Sequence, residues 1–250
     1  MSAPAPAPIP APVIDLSFHH SWQAQILPAR PIILPARHFV YPRDAEEVER
    51  GALEVLIRPE EAAEKLNPEG GGGFNPRIKP TGSGGASAPE GRFPPGAPGP
   101  DFGTWEETSV HPAPQSAQPF LATCALGFRD PAVPTGIWST PKPEEICAVS
   151  GGYAYLIDTS APERFTMISY RPVLHVRPLV DAGLLLFVGH HSILAWSCDG
   201  HAWESEKLSE EGVTIASIEA NVLRGIGWQM RTDKETPFAL DLLTGILITP

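Results

Sequence analysis

Leu184-Leu185-Leu186-Phe187-Val188-Gly189-His190-His191-Ser192-Ile193-Leu194-Ala195-Trp196-Ser197-Cys198-Asp199-Gly200-His201-Ala202-Trp203-Glu204 is the stretch that decides the fold. Two apolar runs flank Gly-His-His-Ser, and Asp-Gly separates the second run from an alternating segment. Short apolar runs bounded by Gly and Asp-Gly read as antiparallel strands, so three consecutive strands are expected. The first run has no polar position, the pattern of a strand buried on both faces. Leu185, Phe187, Leu194 and Trp196 are therefore expected in the core.

Runs of the same kind lie on either side. Residues 120–128, 146–149, 153–158, 165–168 and 173–176 come before it, and residues 213–218, 222–228, 238–242 and 246–248 come after it. Turn signals punctuate them, at Asp181-Ala182-Gly183 and Ala220-Asn221 among others. No amphipathic helical period interrupts the series, so the expected class is all-β, in antiparallel four-stranded meanders. Residues 146–149, 185–188 and 223–226 align as second strands. Tyr155-Leu156-Ile157-Asp158, Leu194-Ala195-Trp196-Ser197 and Ala239-Leu240-Asp241-Leu242 align as third strands. Successive copies lie about 40–45 residues apart, the period of propeller blades.

With those residues in view, the repeat resembles β-propeller blades of the broad WD40 or quinoprotein-like type. Phe238-Ala239-Leu240-Asp241-Leu242-Leu243-Thr244-Gly245 is the part most similar to a quinoprotein-type blade ending. The resemblance covers roughly residues 119–250 and implies three blades, with strands near 38–41 and 51–57 supplying a partial fourth. No Trp-Asp dipeptide ends a blade, and Gly189-His190 lies between second and third strands, not at the WD40 Gly-His position. A small β-barrel or sandwich is the alternative. The resemblance also implies a rim where second-to-third-strand loops meet the blade connectors. That rim would gather Ser150-Gly151-Gly152, Tyr170 and Arg171, His190 and His191, and the segment holding Trp228, Arg231, Asp233, Lys234 and Glu235. Loops on a rigid scaffold are where binding groups concentrate. Trp138, among Pro131, Pro134, Pro141 and Pro143, is added as an exposed anchor.

The remaining chain divides by composition. Residues 1–33 carry Pro4, Pro6, Pro8, Pro10, Pro12, Pro28 and Pro31 and read as a Pro-rich disordered arm, with Val13 to Phe18 and Trp22 available to dock. Residues 34–66 hold strands at 38–41 and 53–57, and helical turns over 45–50 and 59–66, joined to the β domain. Residues 67–119 contain 11 Pro and 11 Gly and read as a flexible insertion. Its strand-like flanks, 51–57 and 119–128, either pair across it or belong to separate parts of the sheet.

Charge and chemistry narrow the function. A net charge of −11 argues against nucleic acid and anionic membrane as partners. No run reaches the ~18 apolar residues of a membrane span, and the N-terminus lacks the form of a signal peptide. A soluble cytoplasmic protein is expected. Cys124, Cys147 and Cys198 are read as buried free thiols, not a disulfide framework. His190 and His191 are adjacent and Cys198 and His201 flank a turn, so neither pair makes a metal site. Glu204 and Glu206 share a strand face without a partner that would tune them, and Ser150 lacks the Gly-x-Ser-x-Gly context of a nucleophile. No catalytic residue, metal or cofactor is assigned. The expected function is a non-enzymatic scaffold that binds a protein or small ligand through its rim. The alternatives are a hydrolase using rim His and acidic residues, and a structural subunit of a homo-oligomer.

Overall fold

Alternation along Leu53-Glu54-Val55-Leu56-Ile57 and the all-apolar Leu184-Leu185-Leu186-Phe187-Val188 demand different surroundings, and the fold supplies both. The computed structural model describes residues 10–45, 51–60 and 118–248, which form one compact unit. Among these residues there are sixteen strands, numbered β1 to β16 along the chain, in four sheets.

Sheet I has the order β2-β4-β5-β3, from β2 (Trp22–Leu27), β3 (His38–Tyr41), β4 (Leu53–Pro59) and β5 (Phe120–Cys124). Sheet II has the order β1-β6-β7-β8-β9, with β1 (Val13–Asp15) laid parallel onto β6 (Gly136–Ser139). The meander continues through β7 (Glu145–Ser150), β8 (Tyr153–Asp158) and β9 (Phe165–Met167). Sheet III is the meander β10 (His175–Leu179), β11 (Leu184–Val188), β12 (Ile193–Ser197) and β13 (Gly200–Glu204). Sheet IV holds β14 (Val213–Glu219), β15 (Val222–Gln229) and β16 (Lys234–Asp241), with an isolated bridge from Leu240 to Leu247 at its edge. None of the sheets closes into a barrel.

Three apolar layers join the sheets face to face in the order I, II, III, IV. Trp22, Val55, Ile57 and Phe120 of sheet I meet Ile146, Ala148 and Tyr155 of sheet II. From the other face of sheet II, Cys147, Val149 and Leu156 meet Leu185, Phe187, Leu194 and Trp196 of sheet III. Leu184, Leu186 and Val188 then meet Val213, Leu223 and Leu240 of sheet IV. Each strand sends alternate side chains to opposite faces, so an inner sheet needs apolar residues at both parities. That is why β7 and β11 are buried at every position.

Glu145 ties three sheets together. Its backbone carbonyl accepts from Trp22 Nε1 of sheet I at 3.3 Å, and its carboxylate accepts from Trp196 Nε1 of sheet III at 2.8 Å. Burial pushes the Glu145 carboxyl above its ordinary value, against the pull of the Trp196 bond.

Sheet I is the departure from a plain meander. β2 and β3 run parallel and occupy opposite edges, so residues 28–37 must cross the sheet. The inner face is packed on sheet II, and this connection passes over the other face. There Arg30 Nε meets Glu54 Oε1 at 3.0 Å; at the end of the connection the Arg37 guanidinium lies 5.7 Å from the Phe39 and Phe120 ring centroids, and its Nη1 donates to the Gln118 carbonyl at 2.6 Å.

Several expectations change. The arm over 1–33 contributes β1 and β2, and Trp22 is fully buried, because an indole against Val55 and Ile57 outweighs the local proline content. Residues 120–124, expected in a repeat domain over 120–250, belong with the N-terminal strands in sheet I. The flanks of the Gly/Pro-rich segment do pair, as β4 and β5, with Ile57 opposite Phe120. The turn expected at Ala220-Asn221 has both residues at positive φ, the conformation of a two-residue hairpin. The expected helical turns over 46–50 and 61–66, and the insertion from 67 to 117, lie outside the described residues.

Candidate functional site

The second-to-third-strand turns lie at the edge of the sheets where β6, β10 and β14 begin. Gly136 pairs with Val149, His175 with Val188 and Val213 with Gly227, which places those strand starts beside the turns. The segments that join successive sheets are hydrogen-bonded to the same turns. Val173 N donates to the Gly152 carbonyl at 2.8 Å; Leu208 N donates to the His191 carbonyl at 2.7 Å and Gly212 N to the His190 carbonyl at 2.9 Å. Gly151 and Gly152 both have positive φ, and a Cβ on Gly151 would fall 2.4 Å from the Phe128 carbonyl. Only glycine permits that approach.

Two hollows open along this edge. The larger has a volume of about 590 Å³ and is lined by residues 10–13, Gly51, Leu126, residues 128–135, Leu174 and His175. The smaller, about 290 Å³, lies between sheets III and IV, against residues 175–177, Val188 and residues 213–215. His175 is exposed and lines both. Beside the larger hollow, Phe128 stands 42% exposed and meets the Tyr153 ring edge-on, with centroids 5.8 Å apart. The Arg171 guanidinium sits 4.8 Å from the Tyr153 centroid on the same ring. The lining of the larger hollow is chiefly Pro, Ala, Val, Leu and Phe, with Arg129, Asp130, Thr135 and His175 as polar points. Such a mixture suits an apolar ligand fixed by a few polar contacts.

The anticipated rim residues divide by role. Trp138 is 3% exposed and packs between sheets II and III, so it is no exposed anchor. Its β6 position faces Phe18 and Cys147 in that layer, and the surrounding prolines do not lift it out. Tyr170 donates to the Phe187 carbonyl and accepts from Leu194 N at 3.0 Å, which locks it between sheets II and III. Burial pushes its phenol well above the ordinary value. His191 Nδ1 lies 3.0 Å from the Ser209 carbonyl, so Nδ1 carries the proton and the ring fastens its turn to the connector. The His190 and His191 ring centroids are 6.2 Å apart. Trp228 is half-buried, and its Nε1 donates to Asp233 Oδ1 at 3.3 Å. Arg231, Asp233, Lys234 and Glu235 are exposed in the β15–β16 turn and the start of β16. Cys124 and Cys147 are buried, whereas Cys198 is exposed in the β12–β13 turn, where a tight hairpin leaves no neighbour to cover it. Among the described residues no three His, Cys, Asp or Glu side chains converge as a metal site.

Two features escaped the sequence. His175 reads only as the middle of a short apolar run, and its place between two hollows follows from sheet stacking. The second is a polar cluster under the 28–37 connection. Glu54 is 4% exposed; its Oε2 accepts from Thr123 Oγ1 at 2.6 Å, and His38 Nε2 lies 2.8 Å from the same hydroxyl. A carboxylate only accepts, so the Thr123 proton points to Glu54 and His38 Nε2 must donate.

No family model and no curated protein matches this chain.

Proposed function

We propose that the chain is a non-enzymatic binding scaffold, a propeller-like stack of sheets that receives a protein segment or small ligand along its rim. The observation that carries this is the hollow of about 590 Å³ with its apolar walls, the exposed Phe128 and the polar residues Arg129, Asp130, Thr135 and His175. Concave apolar sites with a few convergent polar groups are where ligands bind. The rim turns are held by backbone hydrogen bonds to the connectors, so the site is built on rigid elements.

The test uses an apolar fluorescent dye of the anilinonaphthalene sulfonate type on the full chain. Ala132 is exposed and lines the hollow. Ala132→Trp should fill the mouth and cut dye binding several-fold without changing the circular dichroism spectrum. His175→Ala should alter dye affinity through its place in the wall. Dye binding left unchanged in both variants would remove the hollow as a ligand site.

A further inference from the structure

β1 is bound through its backbone, with little side-chain packing. Its seat on β6 is a parallel ladder of three residue pairs, from Val13 with Gly136 to Asp15 with Trp138. Every side chain from Pro10 to Leu16 is exposed except the half-buried Asp15, with Val13 at 46% and Ile14 at 58%. Residues 10–13 form one wall of the larger hollow. Firm anchorage starts at Phe18, which is buried and whose N–H donates to Ser139 Oγ at 2.9 Å. Segments with few buried apolar contacts open locally while the rest of a fold stays shut. Residues 10–16 are thus a strap, hinged ahead of Phe18. The seat beneath it is shaped for a backbone. Val13 N donates to the Thr135 carbonyl at 2.9 Å, and a Cβ on Gly136 would fall 2.0 Å from the Val13 carbonyl oxygen. Gly136 is not at positive φ, so the approach of Val13 requires glycine there, not the conformation of residue 136 itself.

We propose that this seat on β6 binds an extended, proline-containing apolar segment of a separate partner protein, and that residues 10–16 occupy it in cis as a displaceable strap. The inference rests on the reading of the hollow as a binding site, and it names the ligand class and the regulation of that site. The chain's own segment shows what fits: a backbone laid parallel to β6, with Pro10, Ala11, Pro12 and Val13 against the hollow. A segment added to a strand edge draws affinity from backbone hydrogen bonds and specificity from the pockets beside them. The tether gives the strap an effective concentration of about 1 mM at its own seat, so the partner binds only by outcompeting it. A second copy is the poorer occupant. Exchanging straps between copies trades identical contacts and adds the cost of association.

The test uses the full chain and a fluorescein-labelled peptide with the sequence of residues 10–17, read by anisotropy. Val13→Pro removes the N–H that bonds Thr135, which frees the strap and leaves the seat intact. It should bind the peptide about tenfold tighter than wild type, whose seat is occupied in cis. Gly136→Ala should also free the strap yet bind no peptide, because its methyl group fills the space of the incoming backbone. Hydrogen exchange on wild type needs no variant: the Val13 amide should exchange by local opening, well ahead of the β7 amides. A Val13 amide protected to the level of β7 would overturn the strap. Equal peptide affinity in wild type and Val13→Pro would overturn the site, as would peptide binding by Gly136→Ala. Dimerisation of wild type, lost in Gly136→Ala, would give the seat to a second copy and overturn the separate partner. The dye separates the two levels. Dye binding by wild type with no peptide capture by Val13→Pro leaves the hollow as a small-ligand site and removes only the peptide. Peptide capture by Val13→Pro that an added Ala132→Trp leaves unchanged would overturn the part given to the hollow.

Discussion

Glu54 occupies the polar position of an alternating run, where sequence assigns water, and it is instead 4% exposed. Its carboxylate holds Arg30 and Thr123, and Thr123 in turn holds His38. Arg30→Ala would leave a buried carboxylate without its cation and should destabilise the fold by about 1–3 kcal/mol, read from urea unfolding. Glu54→Gln keeps an acceptor for Thr123 and should cost less than Glu54→Ala. The His38 imidazole is held below its ordinary 6.5, first by burial and then by Arg30, with Glu54 pulling the other way. The unfolded chain therefore takes up a proton that the folded chain refuses until a lower pH. Stability from His38 is whole above pH 6.5 and is lost as pH falls through the folded value. Urea midpoints at about pH 7.5 and about pH 5.5 should fall further for wild type than for His38→Gln. Glu145 has the opposite sign. Its carboxyl is raised by burial, so its contribution is whole below 4.5 and is lost as pH rises through the folded value. Glu145→Gln retains an acceptor for Trp196, and it should raise stability at about pH 8 and lose that advantage toward about pH 4. At this scale the sequence shows which side chains are apolar enough to be core. Leu185, Phe187, Leu194 and Trp196 are all buried as their pattern requires. It does not show that a second layer of chain covers Glu54, nor that Trp138 points into a sheet interface, because both depend on partners distant along the chain.

Strands are read well where they are long and apolar, and poorly where their partner is remote. β11 and β12 follow directly from Leu184 to Ser197. Phe187 contributes to the layer between sheets II and III, and Phe187→Ala should cost about 3–5 kcal/mol in chemical denaturation. A much smaller loss would show that this layer is loosely packed. β1 and β2 went unread because β1 is three residues long and sits after Pro10 and Pro12, so its evidence is the pairing of Val13 with Gly136 and not any local pattern. Strand signals report that a segment is extended; they carry no address. The parallel placement of β3 beside β5 is therefore invisible before the sheet is seen.

Across the whole molecule, the all-β class is legible in the short apolar runs, and the both-faces apolar pattern of residues 184–188 anticipates a strand buried between sheets. At the edge of the sheets, the second-to-third-strand turns of sheets II and III are bonded to the chain at residues 173, 208 and 212. The hollows along that edge arise from how neighbouring sheets diverge, which no single stretch encodes. The pairing of β4 with β5 brings Ile57 opposite Phe120, so residues 61–117 join two adjacent antiparallel strands. Replacing them with a hairpin loop of about four residues should preserve the fold. Thermal unfolding within a few degrees of the full chain would be the expected result. A collapse of the transition would show that sheet I depends on the removed segment.

The crossing of sheet I has a consequence for the order of events on the ribosome. β2 and β3 emerge early, but the strands that separate them are β4 and β5, and β5 ends at Cys124. Until that residue is made, β3 has no neighbour to pair with, and Arg30 waits for a Glu54 that has not yet been seated by Thr123. Sheet I therefore stays incomplete throughout the synthesis of residues 61–117, although all four of its strands precede β6. The meander of sheet III, whose pairings are all between sequence neighbours, can close as soon as it leaves the exit tunnel.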